Sequence, residues 1–472
     1  MANPFDQSLT LLSLTDGLRT AYHPKVAEPT KRMGSVVNRM LPVKDRSMHG
    51  PTLEIQVLAK LSFSARHSKG INSPFGRPAL IGAEKYTVTL SETDDNNDLR
   101  RLHNSVSVTE LDRKRGDSGD KAFLTNMVEK IMRIAMGDVN ELQAVSQFMD
   151  TDGKLANVNG TPKKNDRELM FECASVAATG GARVKVDDGN VAYFPRGRQV
   201  AIYSSADVFR MNAEVTDRAA RDSSIGLYGY DANHVPSSAV DISTIADNDK
   251  IYIEDGKNQA PKTINSWMTR PSATGESFFG RDRTSPSYRF MQPNSSGPST
   301  LTPYSPSVLD AAAAEMSFIT PEEREKDMMF FAEPWLIESH KRSVGNDSVL
   351  QYPTGDDAKS LQAKWGFVGA VHRHERLGRL VLTPEPLMKP SKIWLLREGS
   401  WEEVHAQGVP NFYWTQGMQG IWYRCNSPAN DGSLTLVWRA DGYQLSTVLC
   451  LDPPGNMVIE NVERTVGPSI AA

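Results

Sequence analysis

The residues that could do chemistry are few and scattered. His372 and His374, in "HRHER", stand two apart, so on an extended strand both rings fall on one face and could ligate a metal. No third ligand follows at a sensible spacing, so the polar surface of a strand is the better reading of the pair. "DTDG", residues 150–153, opens like a calcium loop. An EF-hand, however, needs further carboxylates at its fifth and twelfth positions, where this chain has Lys154 and Thr161. A helix stop is the better reading. Cys173, Cys425 and Cys450 lie far apart with no CxxC spacing, as expected of buried thiols in a reducing cytoplasm rather than a zinc site or a disulfide framework. Carboxylates are numerous, but none stands out as a pair in an apolar setting. Phosphate loops of the GxxxxGK[ST] type, GxGxxG turns, GxSxG elbows and HExxH helices are all missing from the sequence. The expectation is therefore a chain with no catalytic, cofactor-binding or metal residues, and its function has to be sought in its elements.

The most distinctive element is a long hairpin. Leu53, Ile55, Val57, Ala59, Leu61 and Phe63 alternate with Glu54, Gln56, Lys60, Ser62 and Ser64, the period of a half-buried strand. The strand ends in a basic tip rich in turn residues, with Arg66, His67, Lys69, Gly70, Pro74, Gly76, Arg77 and Pro78, and a second strand returns over Ala83–Leu90. Ahead of it, residues 1–46 read as an arm: a short helical piece around Ser8–Tyr22, then the proline- and lysine-containing "HPKVAEPTKRMGS". Behind it, the acidic link "SETDDNND" leads to an amphipathic helix. Leu124, Val128, Ile131, Ala135, Leu142 and Val145 recur at helical spacing, predicting about 30 residues and ~45 Å up to the glycines at 153 and 160.

Short alternating runs follow: "ARVKVDD", "RQVAIYS", "AVDIST" and "DKIYIEDG". Residues 257–306, rich in Ser, Pro, Asn and Gly, read as a long surface excursion. Ser305–Pro306 and Thr320–Pro321–Glu322–Glu323 mark two helix starts, and "MMFFAE" reads as a buried strand entering another helix at Pro334. The last hundred residues return to strands in "GRLVLTPE", "KIWLLREGSW", "SLTLVWRADGYQLSTVLCL" and "NMVIENV".

Composition bounds these readings. A chain of 472 residues can bury a large core and divide into two or more domains. No apolar run reaches the ~18 residues of a membrane span, and "MANPFDQSLT" lacks the regions of a signal peptide. The net charge of −4 argues against a dedicated nucleic-acid binder. Its distribution is uneven: residues 1–90 hold 12 Lys plus Arg against 6 Asp plus Glu, a balance of +6, leaving −10 for the rest. A basic arm and hairpin could attract an acidic body, within one subunit or between copies.

In order and in phrase, the chain resembles the major capsid protein family of tailed double-stranded DNA bacteriophages. The matching pieces are the hairpin Thr52–Leu90, the helix "DKAFLTNMVEKIMRIAMGDVNELQAVSQFMD" running into "TDGKLANVNG", and "VKVDDGNVAYFPRGRQVAIYS". "FFGRDRTSP" and "WRADGYQLSTVLCLDPPGNMVIENV" also fit, so the likeness spans residues 45–465.

The resemblance implies an α+β capsid fold. Its parts would be an N-terminal arm (1–46), an extended E-loop hairpin (47–92), a peripheral domain (93–210) with a spine helix near 118–149, a β-rich segment with a surface insertion (211–306), an axial-domain-like segment (307–375) and closing strands (376–472). It implies a structural protein with no enzymatic duty and no cofactor. The arm and hairpin would lie on neighbouring subunits, burying Leu53, Ile55, Val57, Leu61 and Phe63 between copies, with Arg66, Lys69 and Arg77 reaching acidic partners. Hexamers and pentamers would tile an icosahedral shell around DNA contacted without sequence preference, alongside portal and decoration proteins. Only about 46 residues precede the hairpin, too few for a cleaved assembly domain, so a separate scaffolding protein is expected. Assembly in a bacterial host's cytoplasm follows. Some relatives join an E-loop lysine to a neighbour's asparagine; Lys60, Lys69 and Lys85 lie in this hairpin, and the sequence assigns none of them, nor any asparagine, to that reaction. An encapsulin-like shell around cargo enzyme is the alternative. From a different class comes a β-rich hydrolase or binding protein whose hairpin is an intramolecular flap.

Overall fold

Alternation of apolar and polar residues sets where the strands run, and glycine or a side-chain bond sets where each element ends. The computed structural model describes residues 35–37, 44–61, 81–90, 98–109, 135–164, 181–219, 223–230, 244–271, 277–319, 328–343, 370–374, 378–406, 413–415, 423–426 and 434–465. The chain is α+β, as the sequence predicts.

Strand β1 (Lys44–Met48) runs parallel to Trp401–Ala406 and delivers the chain to the hairpin, β2 (Thr52–Leu61) paired antiparallel with β3 (Ile81–Thr89). Strand β4 (Arg100–Thr109) lies antiparallel to the 17-residue strand Leu434–Cys450, which also pairs with Trp401–Ala406.

A helix covers 135–146, the described end of the predicted long one. Ala135, Met136, Val139 and Val145 are buried while Gly137 and Asp138 face water, so the amphipathic spacing is real at this end. Gly153 then takes φ +86°, and a Cβ there would stand 2.6 Å from the Gly256 carbonyl oxygen. Only glycine fits this turn, which lies between the helix end at residue 146 and the next strand rather than at the last helical turn. Gly160 differs from its expected part: it sits inside a strand, at φ +74°, where the register slips between Asn159 and Lys163.

Six strands between Lys154 and Ile253 form a closed barrel in the order β10-β5-β6-β9-β8-β7. Its strands are β5 (Lys154–Lys164), β6 (Gly181–Asp187), β7 (Gln199–Tyr203), β8 (Phe209–Ala219), β9 (Ser224–Tyr230) and β10 (Lys250–Ile253). Val184 and Val186, Val200 and Ile202, Met211, Ala213 and Val215, and Ile225 and Leu227 are buried at every second position. Closure leaves no edge unpaired in the ring. Most of "AVDIST" lies outside the described residues.

A six-stranded mixed sheet forms from Asn294–Ser296, Met457–Ile459, Ile393–Arg397, Met328–Ala332, Gly378–Pro384 and Ala370–His374, in that order. Met328–Ala332 is central and buried at all five positions, because both sheet faces are covered. Phe330 packs with Leu309, Met316 and Leu336 from helices Pro306–Ile319 and Pro334–Ser343. Phe331 and Trp394 join the main core, where Phe148 stacks on Trp394 at 5.1 Å. Pro306 does open its helix; the Ser305 hydroxyl meets that of Ser307. The Thr320–Glu323 start lies outside the described residues.

Residues 257–306 correct the surface-excursion reading. They carry the short helix Ile264–Met268 and place Trp267, Phe278, Phe279 and Met291 in the main core. A polar composition hid four large apolar side chains spaced too irregularly for any periodic pattern.

Candidate assembly interface

The hairpin leaves the body through a clasp. Leu90 N donates to the Pro51 carbonyl at 2.8 Å, Asp98 N donates to the Thr89 carbonyl, and the Asp98 carboxylate accepts from Thr89 N at 2.8 Å. The last acid of "SETDDNND" therefore closes its own loop, and burial raises that carboxyl despite the Thr89 bond. Beside the clasp, Arg46 reaches Glu402 at 3.0 Å, tying β1 across to its neighbouring strand.

Only the hairpin's base has a described place in the subunit. Ile55 is 4% exposed and lies in the main core with Tyr86 and Val88, while Leu53 is half-buried against the same core. This corrects the expectation that the whole apolar face awaits a neighbour: Ile55 is already covered by its own chain. The Tyr86 ring meets Trp267 edge-on at 6.0 Å and Phe279 at 5.7 Å, and Trp267 Nε1 donates to the Val448 carbonyl at 2.7 Å. Burial raises the Tyr86 hydroxyl above its ordinary value. Val57 and Leu61 lie on β2, paired opposite Glu84 and Ile81. Phe63, Arg66, Lys69 and Arg77 lie outside the described residues.

Of the helix positions, Ala135 and Val145 are buried and Leu142 is half-buried against the core; Leu124, Val128 and Ile131 lie outside the described residues. The helix end is capped from a distance. Asn265 donates from Nδ2 to the Met149 carbonyl and to Asp150, and its own N–H donates to the Gln147 carbonyl. Lys389, 1% exposed, donates to Asp150 at 2.7 Å and lies 3.5 Å from Asp188. Burial alone would raise Asp188, but Lys389 and Lys154 outweigh it and hold the carboxyl down at about 2. The Asp152 carboxylate accepts from the Tyr252 hydroxyl. The acids of "DTDG" thus have partners within the fold.

The arm also has a described root. Ser35, Val36 and Val37 are buried, and the Glu385 carboxylate accepts from Ser35 Oγ at 2.9 Å and Val37 N at 2.8 Å. Burial raises Glu385, with those two groups and the Leu387 N–H opposing. Nothing local in the sequence could have exposed this contact, since its partners stand 350 and 348 residues apart.

Burial pushes the Cys450 thiol well up, away from the thiolate a nucleophile needs. His372 and His374 occupy alternate positions of Ala370–His374, opposite Leu380 and Gly378. Among the described residues no group of three or more His, Cys, Asp or Glu is placed to hold a metal ion.

No family model and no curated protein matches the chain. Among solved structures it is similar to the capsid asymmetric unit of Cyanophage A-1(L), at 8% identity and a TM-score of 0.45, covering 91% of this chain and 94% of that one. It is similar to the satellite phage P4 procapsid at 8% identity and 0.37, covering 94% and 91%. It is also similar to the holo-SrpI encapsulin complex of Synechococcus elongatus at 8% identity and 0.35, covering 90% and 87%.

Proposed function

We propose that this chain is a phage-type major capsid protein whose copies assemble into an icosahedral shell around DNA. One observation carries the reading: β2 and β3 form a two-stranded sheet that pairs with no other strand among the described residues. A free two-stranded ribbon is marginal in water. Here the base is anchored by Ile55, Tyr86 and Val88, while the alternation continues outward through Val57, Leu61 and Phe63. In this reading a second subunit covers these side chains, and each Leu, Ile or Phe fully buried there contributes about 1.5–3 kcal/mol. The hairpin Thr52–Leu90, the helix that follows it and the closing strands, in that order, support the same family.

In this reading the role is structural, and the arm, hairpin, peripheral and axial divisions are those given from the sequence. The shell is built of hexamers and pentamers with a separate scaffolding protein, joined by portal and decoration proteins. It assembles in a bacterial cytoplasm and ends in the virion. Analytical ultracentrifugation with negative-stain microscopy tests the proposal. The expected products are capsomers, sheets or shells, if need be only with scaffold. A folded monomer at every concentration, scaffold included, would refute it.

A further inference from the structure

We propose that Glu385 is a latch for the root of the N-terminal arm: its carboxylate fastens Ser35 and Val37 to the subunit's own body, so that the arm departs from a fixed point. Glu385, Ser35 and Val37 are each 0% exposed. Glu385 Oε2 accepts both arm donors, at 2.9 Å from Ser35 Oγ and 2.8 Å from Val37 N, while Oε1 accepts Leu387 N at 3.1 Å. A carboxylate taken out of water costs several kcal/mol unless hydrogen bonds replace the lost hydration. Two of these three replacements come from the arm, so the arm cannot leave without stranding the carboxylate. Val36 and Val37 add apolar burial in the main core beside it.

The receiving side is preorganised. Glu385 N donates to the Ala332 carbonyl at 2.8 Å, which continues the central strand's pairing. The next residues are held at three further points. Asn190 Nδ2 donates to the Pro386 and Met388 carbonyls at 2.9 and 2.8 Å, the Tyr193 hydroxyl donates to the Leu387 carbonyl at 2.7 Å, and Lys389 binds Asp150. Barrel, helix end and central sheet therefore fix the carboxylate before the arm arrives, which lowers the entropy lost on docking. Together with β1 on Trp401–Ala406, the latch fastens the chain at two places on one body before the hairpin begins.

The test is hydrogen exchange by mass spectrometry on the full-length chain as parent, Glu385→Gln and Ser35→Ala, followed at the amides of residues 36 and 37. Glu385→Gln keeps the shape but turns an acceptor-only group into a partial donor, and Ser35→Ala removes one arm donor without touching the acid. The expected result is exchange at residue 37 at least tenfold faster in Glu385→Gln and a few-fold faster in Ser35→Ala, with strand Ile393–Arg397 exchanging as in the parent. Parent-like exchange at residue 37 in both variants overturns the latch. If Glu385→Gln does not fold, Ser35→Ala alone decides by the same criterion. Particle formation is not the readout, so failure of the capsid reading leaves this test standing.

Discussion

The barrel of residues 154–253 and the hairpin of β2 and β3 are written in the same period of two, yet they solve the burial of their apolar faces in opposite ways. The barrel pairs every strand on both sides and fills its interior with its own Val, Ile and Leu side chains. Among the described residues the hairpin pairs only with itself, and its described buried side chains, Ile55, Tyr86 and Val88, lie in the subunit's main core. Alternation says that a face will be buried; closure decides by whom. A sheet that closes on itself leaves no edge for a partner, whereas a ribbon with two open edges offers unpaired backbone groups to one.

The sharpest way to break this comparison places the same charge in both regions. Val200 is fully buried in the barrel, so Val200→Asp strands an unpaired carboxylate and should lose folded protein outright, a cost above about 4 kcal/mol. Leu61→Asp on the ribbon should leave the circular dichroism spectrum and urea midpoint near parental while particles disappear from sedimentation profiles. Equal loss of fold in the two variants would mean that the ribbon's outer half belongs to the subunit core. Along the helix, Val145→Asp should cost more than Leu142→Asp, because Val145 is fully buried and Leu142 only half-buried.

The junction between the two regimes is the aromatic clamp. Trp267→Ala removes the ring that meets Tyr86, Phe278 and Phe279 and strands the Val448 carbonyl, for a loss of about 3–5 kcal/mol in urea denaturation. Faster hydrogen exchange should follow in β2 and β3, since their anchor is gone, while β7 and β8 keep barrel-like protection. Parental protection of the hairpin in Trp267→Ala would show that the ribbon does not depend on its clamp.

The body's stability should depend on pH through the buried acid Glu333. Arg464 Nη1 lies 2.6 Å from Glu333 Oε1, tying the chain's last described strand to the start of helix Pro334–Ser343. Burial, opposed by Arg464, pushes Glu333 up to about 7 from an ordinary 4.5. The folded chain therefore keeps a proton there that the unfolded chain gives up. This contribution is fully present below pH 4.5 and is lost as pH rises to about 7, amounting to roughly 3 kcal/mol. Urea midpoints of parent and Glu333→Gln at pH 5 and pH 7.5 measure it. The gap between the two proteins should change between those pH values in the parent's favour at pH 5; a constant gap refutes the assignment.

Much of the strand layout was legible because period two is a local signal. The barrel strands "ARVKVDD", "RQVAIYS" and "DKIYIEDG", the central "MMFFAE" and the helix start at Pro306 could all be read from neighbours in sequence. The clamp was not, because Trp267, Phe278 and Phe279 sit in a Ser- and Pro-rich stretch with no period, and Trp267 and Phe279 find their partner in Tyr86, almost two hundred residues earlier. Glu385 and Lys389 were equally hidden: a lone Glu and Lys after "LTP" look like solvated charges until the fold brings Ser35 and Asp150 to them. Ile55 shows the limit of a correct pattern. Its face was readable, but its partner was assigned from the resemblance to a neighbouring subunit, whereas Ile55 is buried in the subunit's own main core, paired opposite Tyr86.

The smallest expected effect concerns the hairpin tip, and it separates charge from apolar burial as the bond between copies. Arg66, Lys69 and Arg77 lie outside the described residues, in a stretch whose glycines and prolines signal a turn. Their assigned partners are acids of adjacent subunits, since residues 1–90 balance at +6 and the rest at −10. Each exposed pair contributes only about 0.2–1 kcal/mol, but a shell repeats it in every subunit. Arg66→Glu/Lys69→Glu/Arg77→Glu should therefore fold like the parent by circular dichroism and give fewer particles by sedimentation. Parent assembly should also weaken with added salt, because exposed pairs are screened beyond a Debye length of about 8 Å at physiological ionic strength. Apolar burial responds to salt in the opposite sense, being strengthened by sulfate or phosphate. Titrating the folded triple variant and the parent in both sodium chloride and sodium sulfate distinguishes the two forces. Parent-like yield from the variant at every salt concentration would remove tip charge from the interface and leave Val57, Leu61 and Phe63 to hold it.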